Sequence, residues 1–557
     1  MQRTVVSTFD QTDLLKVSFR LLARVIGMVA VLLPGNVHAQ KTPRAPIPEN
    51  QMVMVTPEIV QTLPNGTQFI VRTPQASEEQ LALPVTSGES SAAAMVNRLY
   101  AAGKAAGLSE VLYDNRDARH SSLKPAAFPQ LRQLAYAPEF SRHSRGLAGP
   151  FLFDKPVIGN ASVALTKGPF RRSMPRLAMN NNRSVAFAQS AYANNQLYVY
   201  PEHRDHDPKN GDLFPAHLPY FVISQGSSYS DRPFMRALTL TYAAYPPETF
   251  DTLRANGLLA STTQMILRRS LKQVKSDRDY LQPSAHPTAF DKEMLRPAAM
   301  VSLASSMSAD AVPPRVKLRV IEDLEGRPGV DFLARNMSQT IFTSSGAIAR
   351  AWRSFAPQQR MVISAVDTTD PNERDLTFHW RVMRGNSDKI SITPSGPGNS
   401  NAEIIVDWHD AEDLKGPNDL SPRRVEIAVF AHNGEFFSAP AFITIAIPVH
   451  QKREYAGEGA EAKLWKVDYS KSGQYVDPIL WPVAPWYDRL SYGADGKIEA
   501  MTRAHLQGND QYALIPDYPG TWLVREEVKD KESPARVTHR ASGPPETGLG
   551  LEEIEAQ

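Results

Sequence analysis

The most concentrated group of chemistry-bearing side chains in the chain is the hexapeptide Glu-His-Arg-Asp-His-Asp at 202–207, which follows a strand-like run. Imidazole nitrogens and carboxylate oxygens are ligands for zinc, manganese or iron, and a histidine beside a carboxylate can also act as a general acid or base. The sequence therefore predicts a site at this loop, with a divalent metal ion as its candidate cofactor. We assign catalytic roles to Glu202, His203, Asp205, His206 and Asp207, and metal ligation to His203, Asp205 and His206.

The spacing His203-x-x-His206 brings both rings to one ion only if the loop curls. A third ligand would come from elsewhere in the chain, and His217, His286 and Asp231 are available for that role. The alternative is a solvated loop in which the intervening arginine pairs with neighbouring acids. The position of these side chains in the tertiary structure decides between the two interpretations.

A second candidate site is the polar segment 224–231, which joins a strand-like run to a predicted helix. Backbone amides at a helix start can hold an anion or a developing oxyanion. A serine at such a turn is the nucleophile of hydrolases with the Gly-x-Ser-x-Gly signature, but Ser230 occupies the place of the last glycine here. We assign Ser227, Ser228 and Asp231 to substrate binding. A weaker functional alternative is a serine esterase. The alternative without a function is that Asp231 only caps the helix that follows.

Basic side chains cluster at Arg268, Arg269, Lys272 and Lys275. On a helix, residues 268, 272 and 275 would share one face, and they could bind an acidic polymer or a phosphate. We assign Arg268 and Arg269 to substrate binding, with a solvated helix face as the alternative. The aromatic-rich segment 449–523 offers flat rings to sugar faces, or else supplies the core of small β units.

Strand, loop and helix signals alternate through 91–310, which predicts an α/β or α+β main domain. The strand-like runs 197–200 and 220–223 lead directly into the two candidate loops. Because functional side chains concentrate in loops at strand ends, we expect both loops at the mouth of one site. Helices are expected at 91–108, 248–259, 262–274 and 294–307.

From 360 to 448 the sequence changes to alternating strands separated by turn signals, the pattern of a β-sandwich. A turn rich in aspartate precedes a strand with alternating aromatic residues; the residues concerned are Asp367, Asp370-Pro371-Asn372, Asp375, Phe378 and Trp380. Turn and strand resemble those of PKD-like and cadherin-like immunoglobulin-fold modules, although Glu373-Arg374 stands where such modules commonly carry glycine. The resemblance implies an immunoglobulin-like sandwich over 360–448. The sequence leaves open whether Asp370 and Asp375 bind calcium or hold the turn by side chain to backbone hydrogen bonds.

The N-terminal segment is typical of an export signal. Basic residues precede a short apolar run, and Val37-His38-Ala39 suits a signal peptidase. A periplasmic or secreted location follows, without stable membrane insertion after cleavage. The expected order is a signal peptide at 1–39, a Pro-rich segment with short strands at 40–90, the main domain at 91–310, a connecting segment at 311–359, the immunoglobulin-like sandwich at 360–448, the aromatic-rich β region at 449–523 and a flexible tail at 524–557.

Composition limits the function classes further. The 557 residues include no cysteine, which excludes disulfides, thiolate metal sites and cysteine nucleophiles. Lys+Arg is 61 and Asp+Glu is 59, so the excess of positive charge that a nucleic-acid binder needs is absent. We expect an exported hydrolase that acts on a polymer, with a polysaccharide as the favoured substrate. The alternative is a noncatalytic secreted or cell-surface protein for carbohydrate binding or adhesion; the sequence does not indicate an oligomeric state.

Overall fold

The computed structural model describes residues 48–64, 69–117, 121–144, 146, 151–161, 181–202, 214–226, 229–323, 330–332, 338–410, 424–448, 450–469, 486–505, 508–514, 522–530, 533–542 and 550–554. All of them belong to one unit, Pro48–Gln557, and the other unit, Met1–Ile47, lies outside them. The signal peptide predicted at 1–39 therefore falls outside the described residues. Among the residues described, no helix has the length and apolar character needed to cross a membrane.

Six parallel strands form the sheet that carries the candidate site. The first nine strands are β1 (Met52–Val55), β2 (Val60–Thr62), β3 (Phe69–Val71), β4 (Leu112–Asn115), β5 (Arg132–Tyr136), β6 (Phe151–Phe153), β7 (Val157–Asn160), β8 (Gln196–Glu202) and β9 (Phe221–Gln225). The parallel sheet has the order β1-β5-β4-β7-β8-β9, and β2, β3 and β6 form a small second sheet. Strand β7 and the first four residues of β9 are completely buried, as strands covered by structure on both faces must be.

Eight α-helices lie among the described residues: α1 (Glu78–Leu81), α2 (Ser91–Ala101), α3 (Asn182–Ala193), α4 (Arg232–Ala244), α5 (Pro247–Ala255), α6 (Leu259–Arg269), α7 (Asp277–Tyr280) and α8 (Pro297–Ser305). Polar side chains begin several of them, since Ser90 accepts a hydrogen bond from the Ala93 N–H and Asn181 accepts one from the Ser184 N–H. The mixture of helices and sheets that the sequence predicted is confirmed, with helix ends shifted by a few residues.

The order of the strands places a topological switch point between β4 and β7, and we call the region outside the carboxyl ends of these two strands the crevice. From β4 the chain continues to β5 on one side, whereas β7 lies on the other side of β4. The strand that follows β4 and the strand that follows β7 therefore lie on opposite sides of this pair, and α/β sheets bind ligands at such a switch point, outside the carboxyl ends of the strands. Asn115 and Asn160 are paired directly at this edge, so they mark the crevice.

Many β-strands fill the C-terminal half. The next nine are β10 (Arg319–Glu322), β11 (Thr340–Thr343), β12 (Ala347–Ala351), β13 (Gln358–Ser364), β14 (Thr377–Arg384), β15 (Ile390–Ser395), β16 (Asn401–Asp407), β17 (Arg424–His432) and β18 (Ala441–Ala446). They form two sheets, β10-β13-β16-β15 and β11-β12-β18-β17-β14. Ile363 and Ile404 from the first sheet share one hydrophobic core with Trp380 and Ile427 from the second, so the two sheets pack face to face.

Asp370 holds the turn before β14 by hydrogen bonds. Its Oδ1 accepts from the Asn372 N–H at 2.8 Å, and its Oδ2 accepts from the Asn433 side chain at 2.7 Å. Asn372 in turn accepts from the Val312 N–H at 3.1 Å, whereas Asp375 is exposed. The turn is thus tied to two distant segments by its side chains.

Two segments expected outside these sheets contribute strands to them. Strand β1, in the Pro-rich segment 40–90, pairs with β5, and β10 to β12, in the connecting segment 311–359, pair with β13 and β18. The domain boundaries drawn from the sequence stay predictions. Parallel and long-range pairings leave no local signal in the sequence, because each partner follows far along the chain.

The last eight strands form one antiparallel sheet in chain order: β19 (Lys452–Ala456), β20 (Lys463–Asp468), β21 (Trp486–Tyr492), β22 (Ile498–His505), β23 (Gly508–Leu514), β24 (Trp522–Asp530), β25 (Ser533–Ser542) and β26 (Gly550–Ile554). Strands β24, β25 and β26 lie within 522–554, where the sequence predicts a flexible tail from 524 onward. Charged residues indicate exposure to water, but they do not prevent a backbone from pairing with a neighbouring strand.

A buried charge cluster joins the helical part to the C-terminal sheets. Glu426 on β17 lies 2.5 Å from Arg424 Nε, and Arg424 donates to the Phe214 carbonyl and to Thr288. Burial alone would raise the pKa of Glu426, but Arg424 and then Arg384 hold it well below its usual range. The same strand is apolar on both faces, because Phe430 packs into the helical core and Ile427 into the core between the sheets.

We expect Glu426→Gln to lower the free energy of unfolding by about 3–5 kcal/mol, because Arg424 would stay buried without its counter-charge. Urea unfolding measures this difference. The control is Glu403→Gln, which removes an exposed partner of Arg360 and should change stability by less than about 1 kcal/mol. Equal effects of the two substitutions would show that the buried cluster does not hold the junction.

Candidate functional site

A chain of hydrogen bonds lines the crevice between β4 and β7. The Tyr113 hydroxyl donates to Asn160 Oδ1 at 2.8 Å and accepts from the Leu123 N–H at 3.1 Å. Asn160 Nδ2 then donates to Asp231 Oδ2 at 3.2 Å. Beside this chain, Asn115 Nδ2 donates to Ser122 at 2.8 Å. Residues from two strands, one loop and one helix start therefore meet at the carboxyl edge of the sheet.

Asp231 is the residue of this cluster with unused hydrogen-bonding capacity. It is fully buried at the start of α4, and its side chain does not cap the helix, in contrast to the structural alternative considered from sequence. Its Oδ1 has no hydrogen-bond partner. Burial raises the pKa of Asp231 to about 6, and the charge of Asp117 adds to the rise, whereas the hydrogen bond with Asn160 opposes it.

Tyr229 lies two residues before Asp231 and contacts the loop that follows β4. The residue is 45% exposed, and the Arg232 guanidinium lies 4.1 Å from the ring centroid. Its backbone has φ of +77°, a left-handed conformation that is unfavourable for a bulky side chain. The Tyr229 N–H donates to Ser121 at 3.0 Å, which holds this strained position against the loop that follows β4.

Asp114, one residue before Asn115, has a supporting role. Its carboxylate accepts from the hydroxyls of Tyr136 and Tyr198 and lies 2.7 Å from Arg116 Nε. Gly159 allows β7 to approach this group, because a Cβ there would come within 2.4 Å of the Tyr198 ring. Asp114 is thus engaged on every side and fixes the end of β4, whereas Asp231 keeps one oxygen available.

The structure describes only some of the predicted site residues of the two loops. Asp231 lies in the crevice, and the backbone of Glu202 ends β8, paired with Gln225. The remaining predicted residues of the two loops fall outside the described residues: His203, Asp205, His206, Asp207, Ser227 and Ser228. Strands β8 and β9 are adjacent and parallel, so their carboxyl ends lie at the same edge of the sheet as those of β4 and β7.

The exposed helix face predicted for Arg268 is not what the structure shows. Arg268 is fully buried in α6, with its guanidinium 4.9 Å from the Phe290 ring centroid and 5.9 Å from that of Phe442. Burial lowers the pKa of Arg268 to about 10. Arg269 reaches the surface and binds Asp277 at 3.0 Å. Helix α6 ends there, so the lysines that follow do not share a helix face with Arg268.

His217 and His286, the further ligand candidates, are core histidines. His217 stacks on Phe442 with 3.8 Å between ring centroids, and burial lowers its pKa to about 4. Its Nδ1 lies 3.7 Å from Glu426, too far for a hydrogen bond. His286 contacts the Tyr280 carbonyl, and burial lowers its pKa well below the usual value. Among the described residues, no group of three histidines or acids could hold a metal ion.

Sequence reasoning missed most of the polar cluster, namely Tyr113, Asp117, Ser121 and Asn160. A signal was present, because Gly159-Asn160 directly follows two buried apolar residues and Asp114-Asn115 ends another short apolar run. Polar residues at the carboxyl ends of parallel strands are candidates for ligand contact. The pairing of β4 with β7, which brings them together, is not visible in the sequence.

Comparisons with known proteins add two distant likenesses. No family model and no curated protein matches the chain. A nucleoside hydrolase-related hypothetical protein from Saccharophagus degradans, associated with carbohydrate metabolism, aligns with 10% identity over 52% of this chain and 71% of its own, at a TM-score of 0.18. A mutant of the SrpA adhesin from Streptococcus sanguinis aligns with 12% identity over 28% of this chain and 84% of its own, at 0.13. Such TM-scores carry no argument about fold or function.

The raised pKa of Asp231 predicts a stability effect with a definite pH dependence. The folded protein holds this proton more tightly than the unfolded chain, so the ionised carboxylate weakens the fold above pH 6, and the penalty disappears below pH 3.8. A pKa change of this size corresponds to about 3 kcal/mol. We expect Asp231→Asn to raise the free energy of unfolding at pH 7.5 by up to this amount, and by much less at pH 4.

Urea unfolding at the two pH values measures the effect. Asp251→Asn, which alters an exposed carboxylate on α5, is the matched control and should leave stability nearly unchanged at both. A variant at Asp231 that is less stable than the parent at pH 7.5 would mean that the carboxylate is satisfied in the folded protein.

Proposed function

We propose that the chain is a hydrolase of a polymeric carbohydrate, with the carboxyl group of Asp231 as its general acid or base. The observation that carries this proposal is a buried carboxylate in the crevice of a parallel sheet, with one oxygen unpaired and a pKa of about 6. Perturbed carboxyl groups in such crevices are typical of catalytic sites.

Hydrolysis of a glycosidic bond needs a proton for the leaving oxygen and a base for the attacking water. A carboxyl group with a pKa of about 6 is present in both forms near neutral pH, so it can give a proton or take one. Asp117 supplies a second buried carboxylate whose charge acts on Asp231. In the proposed reaction the bond from carbon to leaving oxygen breaks and the carboxyl group of Asp231 gives its proton to that oxygen. Water adds its hydroxyl to the carbon, and the proton that the water releases returns to the Asp231 carboxylate.

Tyr229 supports a carbohydrate as the substrate. Its exposed side chain, two residues from Asp231, carries a flat amphipathic ring against which the apolar face of a sugar can pack. The Arg232 guanidinium against the ring and the hydrogen bond to Ser121 hold the ring in one place. Strained backbone at such a position is common in binding sites.

The other predictions made from the sequence are kept as parts of this proposal. The loop from Glu202 to Asp207 and the serines at 227 and 228 remain predicted contributors, with a divalent metal ion as the predicted cofactor of His203, Asp205 and His206. The packed sheets and the Asp370 turn support an immunoglobulin-like module at 360–448 that resembles PKD-like and cadherin-like ones. Export to the periplasm or the medium remains a prediction from the N-terminal sequence.

Asp231→Asn should lower kcat for polysaccharide hydrolysis by about 10²–10⁴-fold, because the amide can neither donate nor accept the proton. Release of reducing ends from a panel of polysaccharides measures this rate. The pH profile of the parent enzyme should show a limb with a pKa near 6, and the residual activity of the variant should lack it.

Asp251→Asn is the control and should retain the parental rate. Full activity of Asp231→Asn, or a parent protein that hydrolyses no member of the panel, would overturn the proposal.

A noncatalytic carbohydrate-binding protein is the second candidate, and one surface feature favours it. Trp465 on β20 is 38% exposed, with Lys466 Nζ 5.8 Å from its ring centroid. The same ammonium lies 5.6 Å from the Tyr487 ring, and Arg489 stacks on that ring at 5.2 Å. Exposed rings held between cations can bind sugar faces without any catalytic group.

If this surface binds polysaccharide, Trp465→Ala should weaken retention on an insoluble polysaccharide by about tenfold, the loss expected for one central aromatic contact. Pull-down at several protein concentrations measures the affinity. Ile321→Ala removes another exposed apolar side chain and should have no effect. Unchanged retention of Trp465→Ala would remove this surface from consideration.

A further inference from the structure

A cavity lies at the junction between the helices and the C-terminal sheets. Its volume is about 430 Å³, within the range of sites for small molecules or single sugar units. Four segments form its walls: the end of α6, the loop into α7, helix α8 and the hairpin between β17 and β18. None of its lining residues belongs to the Asp231 cluster, so this cavity is a separate feature of the molecule.

The walls of the cavity are fixed in place. Tyr280 is fully buried and donates from its hydroxyl to the Ser438 carbonyl at 2.8 Å. Asp279 accepts from the N–H groups of Lys275 and Ser276, which locks the loop before α7. The hairpin is held by Asn433, whose Oδ1 accepts from the Phe436 N–H at 2.9 Å. A ligand would therefore enter a preformed site, which reduces the entropy lost on binding.

Charge and shape together indicate the class of ligand. Arg269, Lys275 and Arg296 line the cavity with two acids, Asp277 and Glu435. Arg269 is paired with Asp277 at 3.0 Å, whereas Lys275 and Arg296 take part in no ion pair within the described residues. Two cations are thus available to an anionic group on a ligand.

The opposite wall is aromatic and suits a sugar ring. Phe436 and Phe437 are half-buried and line the cavity, and Phe437 is held between His432 and His379 at centroid distances of 4.4 and 5.1 Å. Flat rings accept the apolar face of a sugar, and the Glu435 carboxylate can accept a hydrogen bond from a hydroxyl. A uronic acid unit combines these three features, since it has an apolar ring face, hydroxyl groups and a carboxylate.

We infer that this cavity binds an acidic sugar unit of the polymeric substrate, with Lys275 and Arg296 at its carboxylate and Phe436 and Phe437 against its ring. The inference rests on the proposed carbohydrate function and names the substrate class as an acidic polysaccharide. The cavity holds the polymer away from the reacting bond, so it contributes to binding and not to chemistry.

Calorimetric titration of the full chain with a short oligogalacturonate tests the inference. The parent protein should bind it, and a neutral cello-oligosaccharide of the same length should bind at least about tenfold more weakly. Arg296→Gln and Lys275→Gln should each raise Kd by about tenfold, the loss expected for one charge-assisted hydrogen bond. Lys292→Gln, an exposed lysine outside the cavity, is the charge-matched control and should keep the parental Kd.

The result that overturns the inference is equal affinity for acidic and neutral oligosaccharides, no binding at all, or parental Kd in both cavity variants. Circular dichroism of each variant confirms that it is folded, and Phe436→Ala provides an uncharged second probe that should also raise Kd. Asp231→Asn should bind the oligogalacturonate like the parent. Binding without turnover would remove the proposed hydrolase and leave this site, whereas turnover with no binding here would remove the site alone.

Discussion

The hydrogen bonds from Tyr113 through Asn160 to Asp231 are the interaction on which the candidate site depends. They join the ends of β4 and β7 to the start of α4, three segments that are far apart in the sequence. Parallel pairing places Asn160 at the end of its strand, in register with Asn115. Asn160 donates to Oδ2 of Asp231, and the other oxygen of this carboxylate is buried with no hydrogen-bond partner. The arrangement keeps a carboxyl group out of water without neutralising it.

Two other buried carboxylates in the described residues are paired with arginine. Asp114 lies against Arg116 and accepts from two tyrosines, and Asp488 binds Arg503 through both oxygens at 2.7 Å. These groups follow the rule that buried charges are paired. Asp231 has no ion pair within the described residues, and burial without a cation is what raises its pKa. A fold that retains such a group gives up stability there, which is common at functional sites and rare elsewhere.

The C-terminal sheets are part of the same packed body as the helices. Strand β17 is buried on both faces, so its side chains alternate between the helical core and the core shared by the two sheets. The buried Glu426 cluster fixes this junction, since Arg424 reaches the Phe214 carbonyl and Thr288. The junction also creates the cavity beside Phe436 and Phe437. A sheet module attached only by a flexible linker would leave no such cavity.

The sequence by itself determined the local features of this protein. Buried apolar runs identified β8 and β9, alternation identified β14, and the order of strand and helix signals predicted a mixed fold in which loops at strand ends matter. Asp231 was singled out, although for a different role, since a carboxylate before a helix is ordinarily a cap. These features depend on neighbours within a few residues, which a sequence displays directly.

Only the tertiary structure decided the rest. The partners of Asp231 come from strands whose parallel pairing is non-local, and Arg268 is buried because Phe290 and Phe442, both distant in sequence, cover it. The strands at 522–554 form because neighbouring backbones supply hydrogen-bond partners, in spite of their charged side chains. Burial, pKa and cavities arise from contacts between residues far apart in the chain, and no local pattern of residue types encodes which distant residues will meet.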